Sequence, residues 1–147
     1  SMREIIWSVD PAHDQLELAL PRLLVFATQL LEATGMEVSA EMDDAGNAEL
    51  DMAARRDLFL IFKEAVNNAA KHSWARHAIL RFKNGKKVMQ IEVEDDGVGM
   101  PTMPAGHGGG LRYMRERAAR HGWELTVESR PGAGTLVRLR IPVGKTT

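Results

Sequence analysis

Glu64, Asn68 and Lys71 stand at i, i+4 and i+7 within Leu58-Phe-Leu-Ile-Phe-Lys-Glu-Ala-Val-Asn-Asn-Ala-Ala-Lys-His72. On a helix that spacing places all three on one face. A carboxylate, an amide oxygen and an ammonium in one row suit a metal-bound triphosphate: the first takes a proton or orients a water, the second ligates Mg²⁺, the third neutralises phosphate. The row would equally serve as a solvated Glu-to-Lys face, and alone it does not decide. Further on, Ile91 and Val93 alternate with charged neighbours, as on a strand with one buried face, and lead into Asp95-Asp96-Gly97-Val98-Gly99. An acid at a strand end can accept the exocyclic amine of adenine, and the glycines let backbone approach a planar base. A plain Asp–Gly turn is the alternative. Gly106-His107-Gly108-Gly109-Gly110 runs into a helical pattern from Leu111, so free amides and a positive helix end can face phosphate. Gly132-Ala133-Gly134-Thr135 reads as a hairpin connection between Leu125-Thr-Val127 and the run from Leu136 to Ile141.

The elements that must hold these pieces follow from periodicity. Leu58, Ile61, Phe62, Ala65 and Ala69 repeat at helical spacing beside the polar row and are expected in the core of a helix over 52–73. An amphipathic helix is expected over 14–33, with Pro21 a kink or a break, and Gly35 suits its C-terminal cap. Residues 36–42 alternate like a strand and 43–47 read as a turn. Strands over 78–82 and 88–94 flank Asn84-Gly85, a strong hairpin signal. The segment 97–110 holds six glycines and two prolines and is a candidate lid. A helix over 111–121 closed by Gly122, two strands and a frayed 144–147 tail complete the chain. The expected fold is a two-layer α/β sandwich, with helices on one face of a mixed sheet.

Composition narrows the class. One core is expected for 147 residues, and 44% hydrophobic with 27% charged residues argues against disorder. A net charge of −1 offers no general attraction to nucleic acid or anionic membrane. The lack of cysteine excludes disulfides, thiolate metal sites and cysteine catalysis. No apolar run approaches the roughly 20 residues of a membrane span, and no signal-peptide pattern is present. Ser1 is compatible with a cloning scar and the chain with an excised fragment.

The order and spacing of the four motifs resemble the ATP-binding domain of sensor histidine kinases, within the superfamily that includes gyrase, Hsp-type chaperones and MutL (the Bergerat-type fold). The similarity covers nearly the whole chain. Glu64-Ala-Val-Asn-Asn68-Ala-Ala-Lys71-His72 looks like the asparagine box. Asp95-Asp-Gly97-Val-Gly99 looks like the first glycine box, Gly108-Gly-Gly110-Leu111 like the second and Gly132-Ala-Gly134-Thr135 like the last. The Asn-Ala-Ala-Lys-His ending and the phrase Gly110-Leu-Arg-Tyr-Met-Arg-Glu-Arg-Ala118 are similar to the nitrate-sensor and thermosensor subfamily. Ile5-Ile-Trp-Ser-Val-Asp-Pro11 resembles that group's junction after its dimerisation hairpin. The implied division is 1–11 as hairpin end and junction, and 12–147 as the catalytic domain.

The resemblance implies ATP and Mg²⁺ as cofactors. Asn68 would ligate Mg²⁺, and Glu64 would activate the attacking histidine or hold metal-bound water. Lys71 and His72 would face the phosphates. Asp95 would bind the adenine amine, with Gly97 and Gly99 giving it room and Thr135 supporting that end through a water. Gly108 and Gly110, ahead of Leu111, would present N–H groups to phosphate. It implies as partners the chain's own phosphoacceptor hairpin and a response-regulator receiver domain. It further implies no direct nucleic acid, a cytoplasmic location and a homodimeric full-length protein, with an upstream membrane anchor left open. Asn67 beside Asn68 creates a one-residue ambiguity that the i+4 spacing from Glu64 resolves toward Asn68, and the surplus glycine around His107 leaves open which amides meet phosphate.

Other residues carry less. His13-Asp14 mimics a phosphoacceptor dipeptide but stands too close to the Glu64 helix to have a second hairpin helix after it. His107 reads as a solvated loop residue, the arginines from Arg112 to Arg120 as a solvated face, and Trp7 as a packing anchor. Met100 and Met103 would meet partner helices or cover the adenine. An anti-sigma-factor-type serine kinase and a non-catalytic nucleotide-binding module are the alternatives. The first is disfavoured by the N-terminal junction and the Arg-Glu-Arg phrase, the second by the completeness of the motifs.

Overall fold

A computed structural model describes residues 16–43, 50–72, 74–98 and 109–143. Its elements run α1 (Leu16–Glu32), β1 (Glu37–Met42), α2 (Met52–His72), β2 (His77–Asn84), β3 (Val88–Asp95), α3 (Gly109–Arg120), β4 (Glu124–Arg130) and β5 (Gly134–Pro142). The five strands form one sheet in the order β1-β2-β3-β5-β4. β1 and β2 are parallel, joined by α2, and the remaining pairs are antiparallel. The sheet is therefore mixed, as expected, and β3 lies at its centre.

The core forms because one face of each central strand is apolar. Leu80 and Phe82 of β2, Ile91 and Val93 of β3, and Leu139 and Ile141 of β5 are buried against the helical layer. From α2, Leu58, Ile61, Phe62, Ala65 and Ala69 are all buried, as their period predicts. Phe62 meets Phe82 edge-on at 5.4 Å, joining helix to sheet.

Helix ends are set by local chemistry. The Asp51 carboxylate accepts the Ala54 N–H at 2.8 Å, an N-cap that starts α2. Gly35, with φ +96°, closes α1 by donating to the Glu32 carbonyl. Gly122, with φ +69°, closes α3. Its N–H bonds the Ala119 carbonyl and that of Trp123 bonds the Ala118 carbonyl, a Schellman arrangement.

Two expectations are corrected. Of the two alternatives at Pro21 the break is ruled out, since one helix runs through it from Leu16 to Glu32. An interior proline costs ~3 kcal/mol, whereas Leu20, Leu23, Leu24 and Leu31 each gain about 1.5–3 kcal/mol by burial on one stripe. The β2–β3 hairpin does not turn at Asn84-Gly85. Asn84 stays in the ladder opposite Met89, Gly85 donates to the Val88 carbonyl at 2.9 Å, and the tip is Lys86-Lys87. Residues 44–47 of the expected turn, Ser73, most of the lid, Trp7, His13, Asp14 and the 144–147 tail fall outside the described residues.

The sheet face turned away from α1, α2 and α3 carries an unanticipated row of charge. Glu41, Arg81, Glu92 and Arg138 are successive register partners on β1, β2, β3 and β5. Arg81 Nε lies 3.0 Å from Glu41, and its Nη1 lies 3.3 Å from Glu92 and 2.7 Å from Glu94. Arg138 Nε donates to Glu92 at 2.7 Å. Burial opposes the Glu92 charge, yet the hydrogen bond and charge of Arg138, with Lys83 and Arg81 nearby, hold its carboxyl below the usual range.

Candidate functional site

α2 presents Glu64, Asn68 and Lys71 on one side, the first two half-buried and Lys71 exposed. The head of α3 comes directly against this row. A Cβ built on Gly110 would land on the Glu64 carboxylate, so a larger residue there would have to displace that side chain. Leu111 follows, packed on the edge of the core. The far end of α3 is fastened to the start of α2. Asp57 lies 2.7 Å from His121 Nε2 and 3.7 Å from both Arg117 Nε and Arg120 Nη1, and His121 stacks on buried Trp123 at 4.4 Å. The glycine-led head of α3 is thus held beside Glu64 by packing along two helices. The second glycine motif and the polar row, separate in sequence, converge.

A second group forms where β3 ends. Asp95 is only 7% exposed, and its carboxylate accepts the Gly97 N–H at 2.9 Å. Burial pushes this carboxyl above the ordinary range, against the N–H groups of Gly97 and Thr135, which favour the charged form. Thr135 is its register partner on β5, and the Thr135 hydroxyl lies 3.0 Å from that of Ser129. Gly134, with φ +86°, packs so closely that a Cβ would strike the Asp95 carbonyl oxygen. Gly132 N–H donates to the Val98 carbonyl at 2.7 Å. The first and last glycine motifs are therefore one structure, with a buried acid at its centre.

The neighbouring acid has a different task. One oxygen of Asp96 accepts the N–H groups of Arg76 and His77, each at 2.9 Å, and the other meets His77 Nδ1 at 2.7 Å. These bonds, the His77 N–H foremost, hold its carboxyl below the usual range. Asp96 is committed to fastening the α2–β2 connection, while Asp95 keeps acceptor capacity. Neither the task of Asp96 nor that connection, in which Trp74 is 86% exposed with φ +53°, belongs to a motif recognisable in the sequence.

Gly99, Gly108 and the His72 side chain lie outside the described residues. Among those described, no cluster of three or more His, Asp or Glu side chains could hold a metal. A lone amide such as Asn68 still fits Mg²⁺ carried by a nucleotide, because that ion keeps waters and takes phosphate oxygens as its main ligands. No described helix is long and apolar enough to cross a membrane.

Comparison with known proteins agrees with this arrangement. The family described as histidine kinase-, DNA gyrase B-, and HSP90-like ATPase matches residues 53–145, and the chain belongs to it. The sensor histidine kinase YxjM of Bacillus subtilis is 27% identical over 144 residues, covering 97% of this chain and 34% of its own length. The nitrate/nitrite sensor protein NarQ of Escherichia coli is 39% identical over 93 residues, 61% of this chain and 16% of that protein. The chain thus spans about a third or less of these relatives. The histidine kinase domain of a blue-light activated kinase from Erythrobacter litoralis shares the fold. Its TM-score is 0.69 at 24% identity, over 84% of this chain and 60% of that one.

Proposed function

We propose that this chain is the ATP-binding catalytic domain of a sensor histidine kinase, moving the γ-phosphoryl group of ATP to a histidine on a dimerisation segment. The observation that carries this reading is the convergence of Glu64 with the glycine-led head of α3. It brings a carboxylate to a helix end suited to phosphate. Asp95, buried and with acceptor capacity left, takes the adenine amine, and Gly97, Gly99 and Thr135 shape that end. Lys71 and His72 neutralise phosphate, and amides at Gly108 and Gly110 support it. Asn68 holds Mg²⁺, which spreads the charge of the β- and γ-phosphates when bound.

In the transfer, the γ-phosphorus parts from the bridging oxygen, leaving ADP, and bonds an imidazole nitrogen. The attacking nitrogen is the one with the free lone pair, and the proton on the other ring nitrogen passes to Glu64 or to a water Glu64 orients. The partners that follow are the phosphoacceptor hairpin of a homodimer and the receiver domain of a response regulator, in the cytoplasm.

The test is calorimetric titration with Mg-ATP and Mg-GTP, followed by incubation with γ-labelled ATP with and without a phosphoacceptor hairpin. ATP should bind well and GTP poorly. Acid-labile label should appear on the hairpin alone, leaving this chain unlabelled. Absence of ATP binding overturns the reading, and acid-stable label on a partner serine would point to the serine-kinase alternative.

A further inference from the structure

On the sheet face turned to the helices, β2, β3, β5 and β4 align their side chains in ranks of register partners. One rank is Leu80, Val93, Val137 and Val127, apolar throughout and part of the core or packed on it. Two residues along each strand, the next rank is Ala78, Asp95, Thr135 and Ser129. The face turns polar over three neighbouring strands at once. Valine at 135 and 129 would continue the core as it does one rank earlier, so packing does not call for hydroxyls there.

The polar members are joined. The Asp95 carboxylate accepts the N–H groups of Gly97 and Thr135, and the Thr135 hydroxyl lies 3.0 Å from that of Ser129. A hydroxyl has one proton and two acceptor lone pairs, so one oxygen of the pair spends its proton on the other, which keeps its own. Adenine sets a ring-nitrogen acceptor beside its exocyclic amine donor, whereas guanine sets acceptors at both places. With Asp95 taking the amine, its neighbour in the rank serves the ring nitrogen only if it still has a proton to give. Thr135 has one when Ser129 is the donor of the pair. Strands about 4.8 Å apart put Ser129, two strands from Asp95, about 10 Å away, so it acts through Thr135.

We infer that Ser129 is a positioning residue for base recognition: its hydroxyl donates to that of Thr135, leaving the Thr135 proton for the ring nitrogen beside the adenine amine, directly or through one water. The inference rests on the assignment of Asp95 and Thr135 to the base end of the site.

The test uses the 147-residue chain, with ADP and pyrophosphate as calorimetric probes and melting temperature followed in parallel. The variants are Ser129→Ala, Ser129→Thr, Thr135→Val and the double variant Ser129→Ala with Thr135→Val. Ser129→Ala should bind ADP about three- to tenfold more weakly, the worth of one hydrogen bond. Its pyrophosphate affinity and melting temperature should stay close to those of the unmodified chain. Ser129→Thr keeps the hydroxyl on a residue suited to a strand and should retain ADP binding. In the Thr135→Val background, Ser129→Ala should cost nothing further, because its route to the base is already gone. Unchanged ADP affinity in Ser129→Ala, or the same loss with and without the Thr135 hydroxyl, overturns the inference and leaves the proposed function standing. An equal loss of pyrophosphate affinity also overturns it, since that marks a general effect on the fold. An unmodified chain that binds no ADP removes both.

Discussion

A methyl group on Gly134 would collide with the carbonyl oxygen of Asp95, so the β4–β5 turn and the acid at the end of β3 pack backbone to backbone. Gly132, two residues earlier, shares a positive φ but has open space around its Cβ position. Gly132→Ala should cost only the conformational penalty, about 1–2 kcal/mol. Gly134→Ala adds a clash that backbone cannot easily relieve, for about 2–5 kcal/mol in all. Urea denaturation of the two variants checks the ranking, and equal losses would show that the close approach is unimportant.

Asp95 should matter to ligand and fold in opposite directions. Because burial raises its carboxyl, the folded protein retains a proton that the unfolded chain has lost between the ordinary value, about 3.9, and the folded one. That contribution to stability is present below the ordinary value and is lost as pH rises through the folded value. Asp95→Asn should therefore be at least as stable at neutral pH. It should weaken ATP and ADP alike by about 1.5–3 kcal/mol, the worth of a hydrogen bond to a charged group. Melting curves and calorimetry on one preparation decide it.

Glu92 has the opposite sign. Its carboxyl is held low chiefly by Arg138, against the burial that opposes it, so it adds stability above the ordinary glutamate value that is lost as pH falls through its folded value. Glu92→Gln leaves Arg81 and Arg138 short of their common acceptor and should be destabilising by about 3–5 kcal/mol at pH 7. It should also flatten the acid limb of the stability curve. A limb of unchanged steepness would show that Glu92 does not drive it.

Gly110→Ala tests the meeting of α3 with α2. The obstacle is the end of a flexible side chain, so the fold should survive with a small change in melting temperature. Glu64 must swing away, and transfer to an acceptor hairpin supplied separately should fall by about 10²-fold or more, the usual contribution of a positioned general base. Asn68→Ala should instead weaken ATP far more with Mg²⁺ present than without it. Calorimetry in magnesium and in chelator separates the two.

The legible parts of this chain are those in which one element's pattern decides. The buried stripe of α2 and the strand alternation of β3 could be read because helical and strand periods survive packing. Where two elements arbitrate, reading went astray. Asn84-Gly85 has strong turn chemistry, but the Asp43 carboxylate accepts the Asn84 N–H and the Val143 N–H reaches Lys87, moving the tip onward. Pro21 loses to the leucines around it. The charge row from Glu41 to Arg138 was invisible because it depends on the register of strands distant in the chain. Spacing marks the row of Glu64, Asn68 and Lys71 and the resemblance to a known family marks the other motif residues, yet neither the approach of Gly110 to Glu64 nor the strained Trp74 leaves a local signature.

The charge row also decides how the domain meets other molecules. Its acids and bases pair with one another across the sheet, so each charge there is met by a neighbour of opposite sign. None of the exposed large hydrophobics among the described residues lies on it; Val25, Met52 and Tyr113 are on helices, Trp74 and Val98 on connections, and Met42 on the core side of β1. A sheet face that is both self-neutral and wet gives a second protein no purchase and a stacking sheet no dry surface. Among the described residues, the large apolar side chains open to a partner lie instead on the helical layer and on the connections at the rim where the motifs open.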